Sequence, residues 1–178
     1  MTEHEQTALK TVTERSWEKI EQHHLRRLAE IAIGDLDDFF QRYPEHGGRY
    51  RDLLMLICLC QGAAGHFVHR DRGVKDFDVW AFFRKHPEKP FPARRHAKGD
   101  FGPSRFGPHL NDKCHPGRGV DLFGRSIPCE KGQDPYDCVR EWLASGRPSS
   151  RKIAKSSVVV IHPEEEVGRI IWDPGSAR

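Results

Sequence analysis

Residues 73–83 read GVKDFDVWAFF, with two aspartates, Asp76 and Asp78, at the mouth of an otherwise apolar run. Side chains two positions apart on a strand point to one face, so the two carboxylates are expected close together. Unpaired, such a couple repels, and one member stays protonated unless a cation or an arginine intervenes. The run behind them, Phe77 to Phe83, is rich in aromatic and branched residues and reads as a strand. The same Asp-x-Asp spacing recurs at Asp35-Leu36-Asp37, where a helix start explains the acids through the helix dipole. Spacing alone therefore carries little, and the neighbouring segments decide.

Leu53 to Cys60 (LLMLICLC) is a continuous apolar run of strand length, the pattern of a strand buried on both faces. It ends in Gln61-Gly62-Ala63-Ala64-Gly65, a small-residue turn, and a polar connection (HFVHRDRG) leads to the Asp76 strand. Beyond Phe83, residues 84–118 form a basic stretch rich in Gly and Pro with no clear period, and a loop of that length is functional or disordered. Gly119 to Phe123 (GVDLF) reads as a third strand carrying a third acid, Asp121, and Arg125 to Pro128 continue it.

Upstream, Trp17, Ile20, His24, Leu28 and Ile31 recur at helical spacing until Gly34, and Asp35 opens a second short helix that closes before Pro44 and Gly47-Gly48. Downstream, Asp134 and Pro135 begin a helix that runs through Leu143 to Gly146. RPSSRKIAKSS reads as a linker, and Ser157–His162 and Val167–Trp172 form an antiparallel pair. The expected fold is α/β (α+β), a mixed sheet flanked by helices. An N-terminal helical segment, 1–50, packs on a core spanning 51–174, and a frayed tail covers 175–178.

The 178 residues are 37% hydrophobic and 31% charged, which suits a soluble globular chain. No apolar run approaches the roughly 18 residues of a membrane span, and the polar N-terminus is unlike a signal peptide, so no membrane partner and a cytoplasmic location are expected. The net charge of +3 hides an asymmetry. Residues 1–60 carry 8 Lys/Arg against 11 Asp/Glu, whereas residues 84–125 carry 10 against 4. Such a basic segment points to a polyanion or phosphate ligand, or is a solvated loop. With Phe91, Phe101 and Phe106 interleaved, it has the makings of a nucleic-acid surface, cations meeting phosphate and rings stacking on bases. The five cysteines lack a CxxC pair. A zinc site from Cys114, His115, Cys129 and Cys138 therefore lacks the usual close pair, and reduced thiols are the better reading.

A strand ending in Gly62-Ala63, an Asp76-Phe77-Asp78 strand, and a later strand bearing Asp121 together resemble the nucleotidyltransferase fold of the DNA polymerase beta superfamily. The interval from Gly62 to Asp76 and the tetrapeptide Lys75-Asp76-Phe77-Asp78 are most like the head domain of CCA-adding enzymes and poly(A) polymerases. The resemblance covers residues 53–123. It implies transfer of a nucleotide from an NTP to a hydroxyl on RNA, protein or a small molecule, with Mg2+ held by Asp76, Asp78 and Asp121. It also implies phosphate contacts at Gly62, Ala63 and Lys75. RNA contact through segment 84–118 is expected from its composition instead, and this long basic insertion before Asp121 departs from the family. Ala63 departs from the family, which has Gly or Ser there, and the chain is short for the family's RNA-reading helical domains. A catalytically degenerate domain of this fold that binds nucleic acid or a protein is the alternative. A nuclease built on Asp76, Asp78 and Lys85 ranks below both.

Overall fold

The computed structural model describes residues 18–92, 95–107 and 117–177. Its strands are β1 (Leu54–Cys60), β2 (Phe77–Arg84), β3 (His96–Asp100), β4 (Gly119–Ile127), β5 (Val158–His162) and β6 (Ile170–Trp172). They join in one sheet in the order β3-β4-β2-β1-β5-β6. Only β2 and β4 run parallel, and every other neighbouring pair is antiparallel. The helices are α1 (Gln22–Arg42), α2 (Pro44–Tyr50), α3 (Gln61–His69), α4 (Pro135–Ala144) and α5 (Pro148–Arg151). The chain is thus a mixed sheet with helices on both faces. Among the described residues, no helix is long and apolar enough to cross a membrane.

Alternation along β2 assigns the two faces. Phe77, Val79, Ala81 and Phe83 enter the larger core cluster, with Leu25, Leu28, Ala32, Leu36 and Phe40 of α1 and Ala63 and Ala64 of α3. Phe82 points the other way and joins Cys58, Cys60, Val158 and Val160 beneath Val139, Trp142 and Leu143 of α4. Fully burying each Leu or Phe contributes about 1.5–3 kcal/mol, so α1 is held by its stripe more than by its intrinsic propensity.

Several elements differ from the sequence reading. Gly34 does not stop the first helix: α1 runs through it as one helix of 21 residues. Gly34 is exposed, and Leu36 and Phe40 continue the buried stripe beyond it, so packing outweighs the roughly 1 kcal/mol glycine penalty. Of the stripe read from sequence, Ile20 and Leu28 are fully buried, whereas His24 and Ile31 are only partly covered; Trp17 lies outside the described residues. Gly47-Gly48 falls inside α2, and a Cβ at Gly47 would meet Phe40 at 3.1 Å, which explains a glycine there.

Gly62-Ala63-Ala64-Gly65 is not a turn but the start of α3. The turn is compressed into Gln61, whose φ of 57° swings the chain from β1 directly into the helix. RPSSRKIAKSS is α5 and a 3-10 turn rather than a linker, and residues 174–177 also form a 3-10 turn. The basic stretch contains an edge strand, β3, paired with β4. Its three phenylalanines are core residues: Phe91 and Phe106 are 1% exposed and Phe101 5%. Those rings are unavailable for stacking on bases, so the expected aromatic nucleic-acid surface on this segment does not form; residues 93–94 and 108–116 lie outside the described residues.

Candidate functional site

Asp76 precedes β2, Asp78 is its second residue, and Asp121 is the third residue of β4. The parallel register sets Asp78 directly opposite Asp121. Cys60 on β1 pairs with Asp78, and Lys98 on β3 pairs with Asp121. A row Cys60–Asp78–Asp121–Lys98 therefore crosses four strands on the face opposite α1 and α3. The strand that follows Asp76 and the strand that carries Asp121 are thus direct neighbours.

Asp78 is half-buried, and its pKa is raised to about 6, first by burial and then by the charges of Asp76 and Asp121. The charges of Lys152 and Lys75 pull the other way without cancelling this. The acids thus repel one another in the way their spacing predicts. Asp121 is engaged by the ring of His96, whose Nε2 lies 2.9 Å from its Oδ1. That imidazole stacks on Phe123 (centroids 4.7 Å apart, planes 8° apart), and Phe123 stacks on Trp80 at 4.7 Å. The ladder fixes the position of His96 and, through it, of Asp121.

Lys75, Asp76, Lys98, Arg118 and Asp121 border a cavity of about 330 Å³. Arg118 is committed to Asp100 by two hydrogen bonds of 2.6 Å, which hold the Asp100 carboxyl down to about 2. Among the described residues, Lys75 and Lys98 have no carboxylate within 4.0 Å and are the cations open to a ligand.

Of the residues expected to contact phosphate, Lys75 borders the cavity, whereas Ala63 and Gly62 do not. The Ala63 side chain is buried in the cluster beneath α1, on the far side of the sheet from Asp78. Gly62 is half-buried, and nothing lies within 4 Å of where its Cβ would be.

Three acids in one region do not by themselves make an ion site. Among the described residues, no group of three or more His, Cys, Asp or Glu side chains is arranged to hold a metal. Cys129 and Cys138 are buried thiols, and burial together with a hydrogen bond to Cys129 pushes Cys138 up to about 12. Cys114 and His115 lie outside the described residues. His66 is buried against the carbonyls of Arg72 and Glu18, and His69 meets Asp173 at 2.9 Å.

His96 is the residue that sequence reading missed. Its strand alternates exposed His96, Lys98 and Asp100 with small Ala97 and Gly99. That alternation is its one signal, and no large inward residue announces it. A Cβ at Gly99 would stand 2.8 Å from Ile31 of α1, so only a minimal side chain lets the helix lie this close to the edge strand.

Fold and site together define the class: an α+β protein whose parallel strand pair carries an acid couple on the sheet face away from α1. Compared with protein-family models, curated proteins and solved structures, the chain matches none.

Proposed function

We propose that this chain is a Mg2+-dependent nucleotidyltransferase that moves a nucleotide from an NTP to a hydroxyl acceptor. The observation that carries the reading is the register of Asp78 against Asp121, with Asp76 two residues earlier, on a face that raises the Asp78 pKa. Magnesium is commonly held by one or two carboxylates together with water and substrate phosphates, so a carboxylate pair would suffice without a ready group of three acids. The electrostatic conflict at Asp78 is of the kind a divalent cation relieves.

Asp76 and Asp78 would hold the ion, with Asp121 beside them. When bound, the ion supplies charge neutralisation to the phosphates and acidifies the attacking hydroxyl. Lys75 and Lys98 complement the triphosphate charge. Asp121, oriented by His96, accepts the proton of the acceptor hydroxyl.

The burial of Ala63, with no hydroxyl at that position, favours the second reading, a domain of this kind that binds nucleic acid or a protein without catalysis. One experiment separates the two. Each labelled NTP is incubated with Mg2+, mixed RNA and the protein. Label transfer is expected, and Asp78→Asn is expected to remove it by a factor of about 100 or more. Transfer that survives Asp78→Asn refutes the metal assignment, and RNA binding without transfer selects the second reading.

A further inference from the structure

The far end of the same two parallel strands holds a second constellation. Lys85 follows β2, and its N–H donates to the carbonyl of Ile127 at 3.0 Å, tying the two carboxyl ends together. Arg125 and Ser126 close β4, and Arg147 stands ahead of α5. Lys85, Arg125, Ser126 and Arg147 border a cavity of about 230 Å³. Ligands of sheets with parallel strands commonly bind outside the carboxyl ends of those strands.

The charges there are unbalanced. No acid borders the cavity, and among the described residues none of the three cations has a carboxylate within 4.0 Å. Arg125 is half-buried with its guanidinium 5.5 Å from the Trp142 ring centroid, and its pKa is lowered by burial and by the charge of Arg147. Other arginines of this chain have found acids: Arg95 meets Asp35, and Arg118 meets Asp100. The Ser126 hydroxyl accepts from the Phe91 N–H at 3.0 Å, which leaves its own proton to donate. Two guanidinium forks, an ammonium and a hydroxyl donor around a space free of acids match the donor set a phosphate group takes.

We propose that this cavity is a phosphate-group site, separate from the carboxylate site and roughly 13 Å from it, since Arg125 stands four residues beyond Asp121 on β4. It does not rest on the nucleotidyl-transfer reading. The bound phosphate belongs to a small phosphorylated molecule or to a single-stranded nucleic-acid backbone, and the two arms of the test tell these apart.

The test uses the full chain carrying Asp78→Asn, in EDTA, so that the carboxylate site is silent. One arm titrates inorganic pyrophosphate and follows the melting temperature. The other titrates a labelled single-stranded RNA 12-mer at several salt concentrations. In whichever arm binds, Arg125→Gln and Arg147→Gln are each expected to weaken affinity about tenfold. In the RNA arm, each is also expected to reduce the salt slope by about 0.7. Arg147→Lys, which keeps the charge at an exposed position, is expected to recover part of the loss. Binding of neither probe, or binding that both glutamine variants leave intact, overturns the proposal. Pyrophosphate binding alone assigns a small ligand, and RNA binding alone assigns the backbone.

Discussion

Replacing Asp78 by Asn should stabilise the metal-free protein at neutral pH, although Asp78 is the centre of the candidate site. Its carboxyl is raised from 3.8 to about 6 by burial, Asp76 and Asp121. A pKa unit corresponds to about 1.36 kcal/mol, so the shift carries about 3 kcal/mol at most. The carboxylate keeps contact with water, and halving for that screening leaves about 1.5 kcal/mol. The sign follows from proton binding. Between pH 4 and 6 the native state holds a proton that the unfolded state has released, so wild-type stability falls as pH rises through this window. The penalty is complete above pH 6 and absent below pH 4. Asn carries no charge and escapes it. For a chain of this size, 1 kcal/mol moves the melting temperature by about 2–4 °C, so Asp78→Asn should melt about 3–6 °C higher at pH 7.5 in EDTA. Calorimetry across pH 4 to 8 checks this. A variant no more stable than wild type at pH 7.5, or an advantage that persists unchanged at pH 4, refutes the reasoning. Added Mg2+ should raise the wild-type melting temperature and leave Asp78→Asn nearly unmoved.

Gly34→Ala should gain up to about 1 kcal/mol, because the position is exposed in mid-helix with nothing within 4 Å of the new methyl; equal or lower stability in urea would show that α1 is not continuous there. Gly124→Ala should lose about 1–3 kcal/mol, since its Cβ would stand 2.2 Å from Phe91 Cε1, and the same urea titration measures it. Phe106→Ala should cost about 3–5 kcal/mol, whereas a base-stacking role would leave stability unchanged and weaken RNA binding instead.

Much of the sheet was legible because its strands are strongly patterned: the apolar run of β1, the alternation of β2, and the valine run of β5. The helix Asp134 caps was legible for a local reason, the bond its Oδ1 accepts from the Tyr136 N–H at 2.8 Å. What escaped was decided by distant contacts. Gly62-Ala63-Ala64-Gly65 has the composition of a turn, yet Ala63 and Ala64 are buried against the sheet and hold that stretch helical. β3 is polar and small, and only its register with β4 and the overlying α1 make it a strand. The basic composition around Phe91, Phe101 and Phe106 masked rings that turn inward. In the site, the three acids were legible from order along the chain. His96 was not, because its link to Asp121 is a cross-strand relation with no local trace.

The parallel pairing of β2 with β4 also has a kinetic face. Asp78 and Asp121 are 43 positions apart, and β3 pairs with the outer side of β4, so the acid couple exists only after a long segment has closed. Long-range parallel pairing forms slowly, because loop entropy is spent before the contacts compensate it. Until that closure Asp78 and Asp121 are separately solvated, and the burial and the Asp121 charge that help raise Asp78 have yet to arise. A ligand that bridges the two acids therefore recognises the closed sheet and nothing earlier. It acts as a clasp on the final step, stabilising the folded chain in proportion to the logarithm of its concentration.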